Sequence, residues 1–110
     1  MSSFKKFDID PACYLEVAKY RAKRAGYDPD LLELSDNPTY KLEYNGTPFG
    51  RHGYGDYIIY RILAYQKRDG ITREYAEKKR DTYQKSHSKI RGEWDEDPES
   101  PNMLSLKINW

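Results

Sequence analysis

The sequence predicts a small α+β domain that is predominantly helical and contains one β-hairpin. Its 110 residues suit a single domain. Helix starts are indicated where an aspartate precedes a proline, at Asp10-Pro11 and Asp28-Pro29. Asn45-Gly46 directly follows an alternating segment, which is typical of a hairpin with a primed turn. Together these signals indicate one domain of mixed structure.

The first third of the chain is predicted to be an arm (residues 1–9) followed by a helical part (residues 10–34). Apolar side chains recur at helical spacing before a stop at Gly26. They are Tyr14, Val17, Ala18, Ala22 and Ala25. The second start signal predicts a short helical turn through Leu31, Leu32 and Leu34.

Residues 40–50 are the predicted hairpin. Tyr40, Leu42 and Tyr44 alternate with Lys41 and Glu43, as in a strand with one apolar face.

A glycine-rich loop follows the hairpin. Its spacing fits neither a Walker loop nor a dinucleotide fingerprint. Gly50, Gly53 and Gly55 are instead expected to allow a tight turn with positive φ. Asp56 is expected to cap the next helix, so Gly53, Gly55 and Asp56 are the predicted loop-shaping residues.

Residues 51–91 are predicted to hold this loop and two helices, the first over about 57–68 and the second from Thr72 to about Ile90. Tyr57-Ile58-Ile59-Tyr60 would also suit a short strand. Residues 92–110 are predicted to form an acidic loop and a C-terminal segment. Leu104, Leu106, Ile108 and Trp110 alternate as in a strand, whereas Ser100-Pro101 starts a helix. We expect the helix.

The composition indicates a thin core and an aromatic surface. Leu, Ile, Val and Phe make up about 17% of the chain, whereas there are 11 Tyr and 2 Trp, and the net charge is +1. Aromatic side chains bury a large area and keep a polar tip, so they suit a core that doubles as a contact surface. This composition excludes a membrane span, a large enzyme with a deep pocket and a strongly basic DNA condenser.

Residues for catalysis or metal binding are not apparent in the sequence. Cys13 is the only cysteine, which excludes an intrachain disulfide or a cysteine zinc cluster and fits a reducing compartment. His52 and His87 lack the short spacing of zinc ligands, and Asp56 completes only a weak acid–base set with them. The N-terminus lacks the apolar run of a signal peptide. We therefore expect no enzyme, cofactor or metal, and no membrane insertion.

Opposed charge blocks are the better functional clue. Residues 61–91 carry ten Lys and Arg against four acids, interleaved with tyrosines, and an acidic run lies at 93–99. Such blocks favour complementary protein surfaces, including contacts between copies. The alternative is a nucleic-acid-binding accessory protein that uses residues 61–91. The candidate partner-binding residues are Arg51, Tyr54, Tyr57, Arg80, Tyr83, Trp94 and Trp110.

Several short motifs, in their order and spacing, resemble a small family of proteins from nucleocytoplasmic large DNA viruses, the chlorella-virus and mimivirus relatives. The motifs are Ala25-Gly26-Tyr27-Asp28-Pro29, Tyr40-Lys41-Leu42, Phe49-Gly50, Gly53-Tyr54-Gly55-Asp56-Tyr57, Arg80 with Tyr83 and His87, Leu104-Ser105, Ile108 and Trp110. The resemblance implies a viral product, present in the virion and, before assembly, in the host cytoplasm. It also implies a minor structural component of the virion. Together with the aromatic surface and the separated charge blocks, it leads us to expect a minor capsid component that bridges or cements capsid subunits.

Overall fold

The computed structural model describes residues 2–89 and 97–110, except for the side chains of residues 87–89. The helices are α1 (Ser3–Lys6), α2 (Pro11–Arg24), α3 (Tyr57–Tyr65), α4 (Arg73–Lys89) and α5 (Pro101–Leu104). The strands are β1 (Leu32–Leu34), β2 (Tyr40–Tyr44) and β3 (Thr47–Arg51). This architecture confirms the α+β class and its helical predominance.

The predicted hairpin is confirmed as β2 and β3, which pair in antiparallel register with Leu42 opposite Phe49. Asn45 and Gly46 have φ values of 48° and 86°, and positive φ at both positions is required by a primed two-residue turn. The register buries Leu42 and Phe49 on one face of the sheet. This face forms part of the main core.

The expectation of a helical turn through Leu34 was wrong. Asp28 caps only a single 3₁₀ turn, Pro29–Leu31, and β1 then pairs antiparallel with β2. Leu32 lies opposite Tyr44 and is fully buried. The local helix-start signal was correct, but the open edge of the hairpin offers hydrogen bonds that the extended chain satisfies. The sheet therefore has the order β1-β2-β3.

Helix α2 begins as predicted, because Asp10 accepts a hydrogen bond from the Ala12 amide at 3.0 Å. Its inward face is Tyr14, Ala18 and Ala22, all fully buried. This face packs against β1, α3 and the C-terminal segment. The helix thus covers one side of the core.

The N-terminal arm contains α1 and is tied to the glycine-rich loop. The Ser3 amide donates to His52 Nδ1 at 3.0 Å, and Ser3 Oγ accepts from the Gly53 amide at 2.8 Å. The Phe4 ring packs edge-on against Tyr14 and His52. The arm therefore closes over the core.

Helices α3 and α4 follow the loop and match their predicted positions, although α3 ends at Tyr65 rather than near residue 68. The Asp56 side chain caps α3 by accepting from the Ile59 amide at 2.9 Å, which confirms its predicted role as a cap. Residues Ile58, Ile59 and Leu63 of α3 are buried in the core. The hydrophobic stripe therefore forms a helix, not the alternative strand.

The C-terminal segment is helical, as expected. Ser100 Oγ accepts from the Met103 amide at 3.3 Å and caps α5, which continues into a π-helical turn, Ser105–Asn109. Leu104 and Ile108 are fully buried and so fall on the core side of this continuous helix. Their spacing of four residues suits one helical face, which explains why the alternating pattern did not produce a strand.

Replacing Gly50 should cost more stability than replacing Gly46, although both have positive φ. A Cβ in this region costs about 1–2 kcal/mol at either site. At Gly50 the Cβ would also lie 3.0 Å from Asn109 Nδ2, whereas at Gly46 nothing lies within 4 Å. Crowding of this kind adds about 1–3 kcal/mol. Urea unfolding of Gly50→Ala and Gly46→Ala measures both losses, and equal losses would show that Asn109 moves freely.

Candidate binding site

A cluster of four buried polar side chains lies at the centre of the molecule. Tyr14, Lys41, Asp56 and Asn109 come from α2, β2, the loop before α3 and the C-terminal π-helical turn, and each is no more than 3% exposed. Burial of charged side chains is costly unless they are paired and hydrogen-bonded. The geometry around Asp56 meets this requirement.

The Asp56 carboxylate is the shared acceptor of the cluster. Its Oδ2 accepts from Tyr14 Oη at 2.5 Å, from Lys41 Nζ at 3.0 Å and from Asn109 Nδ2 at 3.4 Å. Its Oδ1 accepts the α3 capping bond from the Ile59 amide. With both oxygens engaged, this carboxylate is occupied in binding its neighbours and is poorly placed to act as a general base.

Tyr14 is held in its protonated form. Burial raises the pKa of the Tyr14 hydroxyl well above its ordinary value, and the nearby negative charge of Asp56 raises it further. The protonated hydroxyl donates to Asp56, while its oxygen accepts from Asn109 Nδ2 at 2.7 Å. Tyr14 therefore links the C-terminal turn to the carboxylate.

A cavity of about 280 Å³ opens above this cluster. Lys41, Asp56 and Asn109 line its polar side, and Gly50, Gly55 and Ser105 also border it. Within the described part of the chain, Asn109 Oδ1 is buried and has no hydrogen-bond partner. Asn109 is therefore a cavity-lining residue whose side-chain oxygen is buried without a partner among the described residues.

Four of the predicted partner-binding residues form the rest of the cavity wall: Arg51, Tyr54, Tyr83 and Trp110. The rings of Tyr83 and Trp110 stack at 4.3 Å with an angle of 6° between their planes. Arg51 and Tyr54 are exposed, and Tyr54 retains 65% of its surface. We call these four residues the cavity rim.

Arg80 lies next to the rim, where its Nε donates to the Trp110 carbonyl oxygen at 2.7 Å. The same guanidinium lies 5.3 Å from the centre of the Tyr57 ring. Arg80 thereby fixes the backbone of Trp110 and connects the rim to Tyr57.

Tyr57 is placed differently from our expectation of a contact residue. It is only 5% exposed, its hydroxyl donates to Glu77 Oε1 at 2.7 Å, and guanidinium groups lie against its ring. The sequence identified Tyr57 as a contact residue because a tyrosine side chain has an apolar ring and a polar hydroxyl. Its burial depends on contacts with α2 and α4, which the sequence of α3 does not contain.

The loop glycines divide into two kinds. Gly50 and Gly53 have positive φ, as expected, whereas Gly55 does not. Gly55 is required for a different reason, because a Cβ there would collide with the hydroxyl of Tyr60.

The remaining predicted contact residue, Trp94, lies outside the described residues.

The two described members of the weak acid–base set, His52 and Asp56, bond to other partners. His52 accepts from Ser3, and burial lowers its pKa, assisted by the positive charge of Lys41. Asp56 bonds to other partners, and the His87 side chain lies outside the described residues. Among the described residues there is no group of three metal-ligating side chains, and no helix is long and apolar enough to cross a membrane.

Sequence reasoning missed three members of the buried cluster. Lys41 was assigned to the polar face of a strand, but β2 is the central strand and its second face is covered as well. Tyr14 was recognised only as an apolar position of α2, and Asn109 was not singled out. The one signal of this cluster in the sequence was Lys41, a lysine that lies between two apolar residues of a strand.

Comparison with known proteins identifies neither a family nor a function for the chain. Neither the protein-family models nor the curated proteins nor the solved structures include a match to the chain. The site therefore has to be interpreted from its own chemistry.

Asp56→Asn should destabilise the fold strongly because it leaves the Lys41 ammonium buried without a counter-charge. Loss of one partner of a buried pair typically costs about 3–5 kcal/mol. Lys41→Met should cost less, since other donors still satisfy Asp56. The double variant Asp56→Asn/Lys41→Met should be more stable than Asp56→Asn alone. Denaturant unfolding of all four proteins tests this coupling, which simple additivity of the two losses would refute.

Stability should fall with pH above about 10 because the unfolded chain releases the Tyr14 proton while the folded chain retains it. The raised pKa thus contributes stability below pH 10 that is lost at higher pH. Tyr14→Phe removes this contribution, so its alkaline slope should be shallower by up to about 1.4 kcal/mol per pH unit. The free energy of unfolding between pH 8 and roughly 11.5 measures both slopes. Identical slopes would contradict the role of Tyr14.

Proposed function

We propose that the protein is a non-enzymatic structural protein of a large DNA virus, a minor capsid component that bridges or cements capsid subunits. The observation that carries the binding role is the cavity rim, where two stacked aromatic rings stand beside exposed Arg51 and Tyr54. Tyr, Trp and Arg are the residue types that dominate binding energy at protein interfaces. The viral assignment is supported by the resemblance of the sequence motifs.

The support beneath the rim favours binding over catalysis. Asp56 is saturated with donors, and Tyr14 keeps its proton. Lys41 Nζ is buried and bonded to Asp56, and Asn109 Oδ1 is buried as well, so the cluster supports the rim from beneath.

Nucleic-acid binding through α4 is less well supported. Two of its basic side chains pair with acids on the same helix, Lys85 with Asp81 at 3.0 Å and Arg73 with Glu77 at 3.9 Å. These pairs reduce the positive field that phosphate binding requires. The geometry therefore favours a protein partner.

Purified virus particles should contain the protein, and incorporation should depend on the rim. We expect Arg51→Glu/Tyr54→Ala to lower incorporation by roughly tenfold or more, since two central interface side chains are lost. Lys23→Glu is a matched control: it changes the net charge by the same amount at an exposed site outside both cavities. Quantitative mass spectrometry of particles made with each variant measures the effect.

Absence of the protein from particles, or equal incorporation of the rim variant and the control, would contradict the proposal. Retention on DNA that weakens steeply with salt, and that is lost on charge reversal of Lys78, Lys85 and Lys89, would favour the nucleic-acid alternative.

A further inference from the structure

A second cavity, of about 450 Å³, lies between α2 and α3 and shares no lining residue with the cavity above the cluster. Its apolar floor is formed by Cys13 and Val17 of α2 with Ile58 and Ile62 of α3. Its volume falls within the range of about 300–1,000 Å³ that is usual for binding pockets. We call this cavity the α2–α3 groove.

Exposed tyrosines flank the groove. Tyr20 retains 63% of its surface and Tyr65 retains 90%, although both have large apolar rings. Exposed aromatic rings beside an apolar floor are typical of a surface that binds another chain. The floor and flanks together would accept a large apolar side chain.

The groove carries an excess of positive charge. Among the described residues that line it, Arg21 and Arg61 are cationic and none is acidic. Both guanidinium groups, with that of Arg80, lie within 5.5 Å of the centre of the Tyr57 ring. Three arginines therefore share one aromatic ring.

Few carboxylates lie at ion-pair distance from these arginines. Within the described part of the chain, Arg21 has no carboxylate at ion-pair distance, and Arg61 lies 3.8 Å from Glu77, which Arg73 also approaches. Burial lowers the pKa of Arg21, and the positive charge of Arg80 lowers it further. An anionic partner would relieve this repulsion.

We propose that the α2–α3 groove binds the acidic segment at residues 93–99 of a second copy of this chain. The segment contains five carboxylates and one large apolar side chain, Trp94, within seven residues. The indole matches the apolar floor, and the carboxylates on either side of it match Arg21 and Arg61. Both halves of the contact are thus encoded in one chain.

The described end of this segment is available for such a contact. Asp97 and Glu99 are exposed, and neither forms an ion pair with a residue of the described part. Tyr27 Oη donates to the Pro98 carbonyl oxygen at 2.5 Å, which anchors the segment between these two acids. The anchor lies next to the C-terminal end of α2, since Tyr27 follows that helix closely.

The proposed contact joins two different surfaces, so each copy offers one groove and one segment. Contacts of this head-to-tail kind produce rings when the rotation closes and open chains when it does not. Because they do not use the cavity rim, copies joined in this way keep the rim free. The inference goes beyond the proposed capsid role and is tested on the purified protein alone.

Sedimentation velocity over a range of concentrations at low salt tests the contact. The wild-type protein should assemble with concentration and dissociate as salt is raised, because the ion pairs lie at the surface. Trp94→Ala, which alters the segment, and Tyr65→Glu, which places a negative charge at the groove, should each raise the dissociation constant by roughly tenfold or more. Tyr75→Glu makes the same substitution at an exposed tyrosine that lines neither of these two cavities, and it should assemble like the wild type.

A mixture distinguishes this contact from any symmetric one. At a concentration where each variant alone is monomeric, Trp94→Ala supplies an intact groove and Tyr65→Glu an intact segment. Mixing them should give a one-to-one dimer that does not grow further. Unchanged circular dichroism and thermal unfolding of both variants confirm that each is folded.

Three results would overturn the proposal: a wild-type protein that stays monomeric at millimolar concentration, a mixture that stays monomeric, or a Trp94→Ala variant that assembles normally. A synthetic peptide of residues 92–100 identifies the cause in the first case. Peptide binding only to Trp94→Ala, and not to the wild type, would mean that each chain fills its own groove. Peptide binding to neither would show that the groove does not accept this segment.

Discussion

The fold depends on the carboxylate of Asp56. It accepts hydrogen bonds from Tyr14 of α2, Lys41 of β2, Asn109 of the C-terminal turn and the first turn of α3. A helix layer, the central strand and the C-terminus are thereby oriented around one buried charge. Bonds of this kind strengthen one another in a low dielectric, but each member becomes costly if its partner is lost. The same interaction therefore supports the floor of the cavity and fixes the start of α3.

This arrangement explains how a chain poor in aliphatic residues holds a defined core. Phe49, Leu42 and the α3 isoleucines provide the apolar packing, and Tyr14 adds a large ring whose hydroxyl is satisfied inside the molecule. A buried ion pair is by itself weak support for stability. Its geometric demands, however, exclude alternative registers, because shifting β2 by one residue would turn Lys41 to the opposite face of the sheet.

Local signals predicted the elements whose structure is decided locally. The cap at Asp10, the turn at Asn45-Gly46 and the cap at Ser100 act within a few residues, and each was recognisable in the sequence. Strand β1 was not, because its pairing with β2 outweighs a helix-start signal next to it. The buried cluster was also beyond local reasoning, since Tyr14 and Asn109 are 95 positions apart and meet only in the folded chain.

The candidate site likewise contains some residues that the sequence pointed to and others that only the folded structure brings together. The stacked Tyr83 and Trp110 could be proposed as contact residues from their type alone, and the structure brings them together with Arg51 and Tyr54. The arginines of the α2–α3 groove belong to separate helices, so no single segment of sequence contains their pattern. Tyr57 connects the two regions, because its ring contacts Arg21 and Arg61 on the groove side and Arg80, which bonds to Trp110.

The net charge of the chain is near zero, but its charged residues are distributed unevenly over the fold. Lys41 and Asp56 neutralise each other inside the molecule and act in folding. Arg21, Arg61 and Arg80 converge on one aromatic ring, and among the described residues Glu77 is the one carboxylate at ion-pair distance from any of them. The fold thus pairs one lysine with one carboxylate in its centre, whereas the arginines around Tyr57 outnumber the carboxylates that pair with them. Arginines with few paired carboxylates in the monomer are neutralised further when copies associate, which is the physical reason to place the acidic segment of one copy against the arginines of the next.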